Sequence, residues 1–336
     1  MTTIRDIAKA SGYSISTVSI ILRGEAQKRK IPQRTQEKIL EVARSLKYQP
    51  NLSARKLRDV NAKQYTIGLY WAADSRSIIL ARILKSLQQV LLNSEYNINL
   101  VISPYISGRL CEDKLLQGIS SYNAVIIATT DEADMNYLEE NPPLIPNVLY
   151  NRYSKQFSCV TVDNMLAGRI AAMHLLNKRI TDIGLVIQSP PFFAMEKRRK
   201  SFIHTCDMYN VHIKQSNIFL TDGTLHGGYL AGNQIVESKN IPKALFCDDA
   251  SIALGILNSF AHNNIRVPDD VEIISICTGL ENFCQHSVPS LTVVELPLEE
   301  MALQSIHILI DILMHKTQVP KQIVFQPKLI VRDSCK

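Results

Sequence analysis

The N-terminal 57 residues constrain the fold more than any other part of the chain, because helix caps, apolar periodicity and a tight turn occur there in a fixed order. Thr3 and Asp6 carry oxygens that can accept hydrogen bonds from the free amides of a helix start, and Gly12 suits a helix end. Ser14 then caps a second helix, which we predict over 15–22. Two short helices joined in this way are typical of a helix-turn-helix, whose second helix enters the major groove of DNA.

The pattern continues beyond these two helices. A third amphipathic helix follows, and its inward positions are Ile39, Val42, Ala43 and Leu46. After it comes Tyr48-Gln49-Pro50-Asn51, and then a short helix rich in small residues.

Ordered motifs along this segment read D-I-A-x-x-S-G-Y-S-x-x-T-V-S, then T-x-x-K-I, then Y-x-P-N-x-x-A-R-x-L. In this order and spacing they resemble the lactose/galactose repressor family. The resemblance implies an N-terminal all-α helix-turn-helix headpiece over 1–58, which ends in a hinge helix over 51–58. It also implies a linker over 59–65 and, over 66–336, an α/β two-lobed periplasmic-binding-protein-like core with parallel, Rossmann-like sheets.

The resemblance implies which side chains contact DNA. Ile15 and Ser16 fall on the base-reading positions, where an aliphatic group and a small hydroxyl can contact thymine methyls and base edges. Thr17 and Ser19 fall on or near phosphate, and Leu57 matches the residue that inserts into a minor-groove step. The further DNA contacts that we expect are Thr3, Ser14, Arg23, Thr35, Asn51 and Ala54.

The distribution of charge agrees with DNA binding by this end of the chain. Residues 1–62 hold 13 Lys and Arg against 5 Asp and Glu, whereas the remainder holds 24 against 26. The overall charge of +6 therefore arises at one end, as expected if only that end contacts phosphates. Basic residues divided among several capped helices disfavour a membrane-surface helix.

The cysteines and the N-terminal residues bear on the compartment. The seven cysteines form no C-x-x-C pair and no metal-ligand spacing, which is typical of reduced thiols in the cytoplasm. No signal peptide is recognisable, and no apolar run approaches about 18 residues. We therefore expect a soluble cytoplasmic protein that binds no metal, cofactor or membrane.

From Thr66 onward, short β-branched runs alternate with amphipathic stretches, which indicates parallel sheets with crossover helices. We expect a first lobe over about 66–161 and 296–321, and a second lobe over about 162–295 and 322–336. The segment 291–294 is expected to cross back to the first lobe. We expect one final strand over 323–331, in the second lobe.

Two such lobes form a cleft, in which ligands bind beyond the carboxyl ends of the strands. The resemblance places Arg198, in the motif R-x-x-S-F, and the pair Asn151-Arg152 at effector-binding positions. Asp249 is the candidate for the family's pocket aspartate, although its spacing to Ala253 is one residue too long. Trp71 ends the first strand, where it either stacks on a ligand ring or packs in the core.

The sequence departs from the family in this pocket. Ser275-Ile276-Cys277-Thr278 replaces the usual G-[FY]-D-[DN], and Gly223 stands about where relatives carry a stacking aromatic residue. The loss of an acidic group suits an anionic ligand near Arg198, Arg199 and Lys200.

No catalytic motif of the G-x-S-x-G, G-x-G-x-x-G or P-loop type accompanies these features, so we expect no enzyme. The sequence favours a transcription regulator, in particular a repressor of carbohydrate uptake or catabolism genes that responds to a sugar or sugar phosphate. Two alternatives stay open: a solute-binding protein with a vestigial head, and a global regulator controlled by a partner protein. Because no leucine heptad follows Val331, we expect a homodimer that binds a near-palindromic operator.

Overall fold

The computed structural model describes residues 4–22, 26, 29, 31–46, 64–74, 76–93, 97–113, 116, 122–315 and 320–336. The chain divides into two compact units, Met1–Lys63 and Gln64–Lys336, which we call the head and the core. Within the described ranges, no helix is both long and apolar enough to cross a membrane.

Three helices form the described part of the head. They are α1 (Ile4–Ser11), α2 (Ile15–Leu22) and α3 (Gln33–Ser45). Each contributes one fully buried aliphatic residue, namely Ile7, Val18 and Ile39, to a shared apolar cluster. The expected hinge helix over 51–58 lies outside the described residues.

The first lobe of the core is a six-stranded parallel sheet. Its strands are β1 (Gln64–Ala72), β2 (Asn97–Tyr105), β3 (Ala124–Ala128), β4 (Asn147–Tyr150), β5 (Ser158–Val162) and β11 (Gln322–Phe325). They lie in the order β11-β5-β4-β3-β1-β2. The helices that accompany them are α4 (Ser77–Asn93), α5 (Glu132–Glu140) and α11 (Leu298–His315). All of β3 is buried, as is typical of a strand covered on both faces.

The second lobe repeats this plan. Its strands are β6 (Ile183–Gln188), β7 (Ile218–Thr221), β8 (Ala244–Cys247), β9 (Glu272–Cys277), β10 (Thr292–Glu295) and β12 (Lys328–Ile330). Their order is β12-β10-β9-β8-β6-β7, and only β12 is antiparallel to its neighbour. The helices are α6 (Asn164–Asn177), α7 (Phe193–Met208), α8 (Leu225–Glu237), α9 (Ala250–His262) and α10 (Glu281–His286).

Two expectations about the lobe crossings were wrong. The segment 291–294 does not cross, because β10 pairs with β9 in the second lobe and the chain leaves that sheet only after Glu295. The segment 323–331 is not one strand: β11 pairs with β5 in the first lobe and β12 with β10 in the second. Pro327 lies between them and has no amide hydrogen for a strand ladder, so the break falls there.

A close helix contact fixes the position of α7. A Cβ atom added to Gly168 in α6 would lie 2.0 Å from the backbone oxygen of Arg198 in α7. Only glycine permits this approach, which sets the distance between the two helices and thereby places the Arg198 side chain.

Candidate functional site

A cavity of about 780 Å³ lies in the core, and both lobes contribute to its wall. Trp71 lines it near the end of β1, Asn151 directly after β4, and Asp249 just beyond β8. This is the edge at which parallel α/β sheets bind ligands, because the carboxyl ends of the strands and the loops that follow them meet there. Its volume falls in the range of small-molecule sites.

The structure brings the residues that were predicted for effector binding into this one cavity. The lining residues include Trp71, Asn151, Arg152, Arg198 and Asp249. Among the described residues, Arg199 and Lys200 do not line it. The expectation that these two cations lie near a ligand is therefore wrong, because one is paired with Asp248 and the other with Glu196.

Arg198 lies in α7 and is only 5% exposed. Its Nε donates a hydrogen bond of 2.9 Å to Oδ1 of Asn164, whereas its Nη1 has no partner among the described residues. Burial lowers the pKa of this guanidinium to about 10, against the opposing effect of the Asp249 and Asp248 carboxylates. A buried donor without a partner is unfavourable, so its place in the cavity wall makes Arg198 a strong candidate for a ligand contact.

Hydrogen bonds connect Arg198 to the first lobe through Asn164. The Nδ2 of Asn164 donates to Oδ1 of Asn151 at 3.3 Å and to the carbonyl of Val162 at 3.1 Å. Asn151 has a φ of +55°, a left-handed conformation that asparagine adopts more readily than most residues. The sharp bend after β4 thus places Asn151 beside α6 and puts Arg152 in the cavity wall.

Arg152 is also 5% exposed. Its Nε donates to the carbonyl of Thr130 at 2.6 Å and its Nη1 to the carbonyl of Asn151 at 2.7 Å, while the guanidinium carbon lies 5.1 Å from the centroid of the Phe193 ring. Burial lowers the pKa of Arg152 to about 10, and the nearby cation of Arg76 lowers it further. No carboxylate in the described ranges forms an ion pair with Arg152 or with Arg198.

The adjacent aspartates differ in their surroundings. Asp248 is buried, and it accepts a hydrogen bond of 2.5 Å from Nη2 of Arg199. Burial raises the pKa of Asp248, which the Arg199 guanidinium partly offsets. Asp249 caps α9 by accepting from the amide of Ser251 at 2.9 Å, and it also accepts from the hydroxyl of Thr278. Of the two, only Asp249 lines the cavity.

Trp71 meets both interpretations that the sequence left open. It is 4% exposed and belongs to the main apolar cluster of the core, so it packs as a core residue. It also lines the cavity, and its Nε1 has no hydrogen-bond partner among the described residues. The indole therefore contributes to the cavity wall while its Nε1 stays buried and, within the described residues, unpaired.

The aromatic surface expected near position 223 comes from other residues. Gly223 has a φ of +82°, a left-handed backbone conformation that residues with a side chain rarely adopt, so an aromatic residue there would be strained. Phe192 and Phe283 line the cavity instead, and the guanidinium of Arg76 lies 4.1 Å from the centroid of the Phe192 ring. The sequence analysis missed these three residues, although each follows a predicted strand closely enough for the strand-end rule to find it.

An ion-pair cluster joins three helices beside the cavity. Nη2 of Arg82 in α4 lies 2.9 Å from a carboxylate oxygen of Glu281 in α10 and 2.8 Å from one of Glu299 in α11. Arg82 lines the cavity, but two carboxylates already neutralise its charge.

In the head, α2 presents the side chains that the resemblance assigns to DNA. Ser14 caps this helix, since its Oγ accepts from the amide of Thr17 at 3.1 Å and lies 2.8 Å from the Thr17 hydroxyl. Ile15 is 51% exposed although it is aliphatic, and Ser16 is exposed beside it. Thr17 and Ser19 are half-buried. The exposed start of α2 is thus available for contact with a partner.

Among the other predicted DNA contacts, one lies within the described residues. Thr35 is half-buried in the first turn of α3. The predicted contacts outside the described residues are Thr3, Arg23, Asn51, Ala54 and Leu57.

Comparisons with known proteins agree with this division of the chain. Residues 3–51 match the family described as bacterial regulatory proteins, lacI family, and residues 172–335 match the periplasmic binding protein-like domain. The chain is 25% identical to the Bacillus subtilis protein named "Probable HTH-type transcriptional repressor ExuR", over 99% of this chain and 98% of that protein.

Solved structures of LacI family proteins are also similar to this chain. A LacI family transcription regulator from Clostridium acetobutylicum is 35% identical, with a TM-score of 0.76 over 80% of this chain and 99% of that chain. The crystal structure of the lac repressor dimer bound to operator and the anti-inducer ONPF is 17% identical, with a TM-score of 0.71 over 99% of both chains. At this lower identity, the second comparison shows the fold alone.

Proposed function

This chain belongs to the LacI family of transcription regulators, and on that premise we propose that it is a repressor of carbohydrate uptake or catabolism genes. In this proposal the head binds an operator, and a small molecule in the core cavity changes the affinity of the protein for that operator. The proposal is supported by the similarity to proteins named as repressors, among them ExuR.

One observation carries the effector part of the proposal: the polar groups of the cavity wall come from both lobes. Asn151 and Arg152 belong to the first lobe, and Arg198 and Asp249 to the second. A ligand that contacts members of both pairs stabilises one arrangement of the lobes relative to others. Such a preference couples ligand binding to operator binding, typically by about 1–3 kcal/mol.

The DNA surface that we propose begins with α2. Ile15 and Ser16 are the base-reading residues, because they are the exposed side chains at the start of the helix. Hydroxyls on or near phosphate would come from Ser14, Thr17, Ser19 and Thr35. The resemblance adds Thr3, Arg23, Asn51, Ala54 and Leu57, the last in the minor groove from a hinge helix over 51–58.

We further propose that the protein acts as a homodimer on a near-palindromic operator. Two heads would then contact half-sites about one helical turn apart. The operator-bound lac repressor, which shares this fold, is a dimer.

Fluorescence anisotropy with a labelled DNA fragment from upstream of the gene tests the proposal. The unmodified protein should prefer this fragment to a shuffled sequence, and its affinity should fall steeply with salt, by roughly one unit of log–log slope per neutralised phosphate. The double variant Ile15→Ala, Ser16→Ala should lose about 1–3 kcal/mol of this preference. Leu40→Ala is the matched control, because Leu40 is another partly exposed aliphatic residue of the head.

Equal affinity for the two sequences, or an unchanged preference in the double variant, would contradict the proposed DNA interface. Adding sugars and sugar derivatives to the same assay tests effector control. If none of them changes operator affinity, a regulator controlled by a partner protein becomes the better interpretation.

A further inference from the structure

Two acidic side chains, one from each lobe, share a single guanidinium group beside the core cavity. Arg82 lies in α4 of the first lobe, Glu299 in α11 of the same lobe, and Glu281 at the start of α10 in the second lobe. Nη2 of Arg82 lies 2.9 Å from Oε2 of Glu281 and 2.8 Å from Oε1 of Glu299. One of these ion pairs therefore joins the two lobes, and the other stays within the first lobe.

The second lobe itself holds Glu281 in the position that this contact requires. The amide of Gly279 donates a hydrogen bond of 3.1 Å to Oε1 of Glu281, which leaves Oε2 for the contact with Arg82. Within the described part of the chain, Oε2 is buried and accepts no well-aligned hydrogen bond. The contact with Arg82 is thus an ion pair, and the guanidinium compensates a carboxylate oxygen that water does not reach.

The backbone of the second lobe approaches α4 closely at Gly279. This residue has a φ of +94°, and an added Cβ would lie 3.2 Å from Cγ of Arg82 and 3.7 Å from Cγ2 of Ile78. Gly279, Arg82 and Ile78 all line the cavity. The ion pair between Arg82 and Glu281 therefore lies where the second lobe packs directly on the first and bounds the cavity.

The two carboxylates differ in what a separation of the lobes does to them. Glu299 belongs to the same lobe as Arg82, so their ion pair survives the separation. Glu281 moves with the second lobe, and among the described residues no other cation lies within ion-pair distance of it. Opening therefore releases Glu281 to water while Arg82 keeps a partner, so the contact can break without leaving a buried charge unpaired.

We propose that Arg82 and Glu281 form a clasp that holds the lobes together over the cavity in the ligand-free protein, and that Glu299 keeps Arg82 paired when the clasp opens. The clasp regulates access to the effector site, and in that respect it rests on the proposed function. It is supplemented by a second contact between the lobes, since the guanidinium carbon of Arg76 lies 4.1 Å from the centroid of the Phe192 ring. Loss of the clasp should therefore increase opening without separating the lobes completely.

A simpler role for the cluster makes a different prediction. If Glu281 and Glu299 only neutralise Arg82, the two carboxylates are interchangeable, and removing either charge should have the same effect. In the clasp they act in opposite directions. Loss of the Glu281 charge removes an attraction that exists only in the closed state, whereas loss of the Glu299 charge leaves Arg82 unpaired in the open state and relieves the repulsion between the two carboxylates in the closed state.

Quenching of tryptophan fluorescence by acrylamide measures opening without any ligand. Trp71 is the only tryptophan, lines the cavity and is 4% exposed, so a neutral quencher should reach it mainly when the lobes separate. Glu281→Gln and Glu299→Gln are matched variants, because each removes one negative charge from the same cluster and keeps the size of the side chain. Both are measured as full-length proteins at low salt, and calorimetry shows that each is folded.

In Glu281→Gln the quenching constant should rise about two- to fivefold, as expected for the loss of a partly exposed ion pair. Glu299→Gln should leave the quenching constant unchanged or lower it. Sodium chloride at about 1 M should raise the constant of the unmodified protein toward that of Glu281→Gln and should have little effect on that variant. Arg82→Met should resemble Glu281→Gln, and the double variant should open no further, because both changes break the same pair.

An equal rise in both glutamine variants, or an unchanged quenching constant in folded Glu281→Gln, would overturn the clasp. If Glu281→Gln does not fold, a quenching constant of the unmodified protein that is independent of salt would overturn it as well. Failure of the clasp is distinguishable from failure of the proposed function, because quenching of Trp71 requires neither effector nor operator. A protein that shows the expected quenching pattern but never binds operator has the clasp and refutes the proposed function.

Discussion

Replacing Arg198 by methionine should stabilise the ligand-free protein, although it removes a proposed ligand contact. Burial lowers the pKa of Arg198 from its ordinary value to about 10. At about 1.4 kcal/mol per pH unit, this depression corresponds to about 3 kcal/mol against the charged form in the folded state. The variant loses the hydrogen bond from the charged Nε to Asn164, which contributes about 2 kcal/mol. Methionine keeps most of the apolar packing of the arginine stem, so the net gain should be about 1 kcal/mol.

The sign of the effect follows from the direction of the pKa change. Arg198 is a cation whose folded-state pKa lies below its unfolded-state pKa, so the folded protein carries the full cost at every pH well below 10. That cost declines only as the pH rises through 10, where the folded state begins to release the proton. The advantage of the variant should therefore be constant between pH 7 and pH 9 and shrink above that range.

Differential scanning calorimetry of the ligand-free full-length protein measures the effect. For a unit of this size, about 1 kcal/mol corresponds to a rise in Tm of about 2–4 °C. Lys200→Met, at an exposed position of the same helix, should shift Tm by no more than about 1 °C. A Tm of Arg198→Met equal to or below that of the unmodified protein would show that the folded chain already compensates this charge.

Three further predictions concern packing, capping and thiols. Gly168→Ala should lower the Tm measured by calorimetry by at least about 6 °C, because the new Cβ would lie 2.0 Å from the backbone oxygen of Arg198 and cost about 3 kcal/mol of stability. Arg169→Ala, at the exposed neighbouring position, should leave Tm unchanged. Ser14→Ala removes the side-chain cap of α2 and costs about 1 kcal/mol, so the α2 amides should exchange hydrogen about fivefold faster; an unchanged exchange rate would count against the cap. Of the seven cysteines only Cys111 is exposed, so an aromatic disulfide reagent should titrate one thiol in the native protein and seven after denaturation; rapid reaction of a second native thiol would contradict the burial of the others.

Local sequence signals predicted most of the elements. The helix over 225–237 and the strand over 124–128 have the bounds that the apolar pattern indicates. The pattern is informative because the side-chain period of a helix or strand depends only on residues that are close together in the sequence. The strand over 158–162 is harder to find, because Ser158 and Thr161 interrupt its apolar run. The helix over 281–286 has only six residues, which is too short for periodicity to separate it from a loop.

The sequence by itself determined the order of the head helices and the two-lobed α/β plan, because helix caps and strand periodicity are local properties of the chain. The resemblance to the family indicated candidate residues for the cavity wall. Tertiary structure alone decided that β10 stays in the second lobe, that Asp248 neutralises Arg199, and that Arg152 and Arg198 are left without a carboxylate. Strand pairing and charge compensation depend on which distant segments come together when the sheets form. Residues that are adjacent in the sequence do not show how far apart distant side chains lie in space. The absence, among the described residues, of an ion pair at Arg152 and Arg198 could therefore be found only in the folded protein.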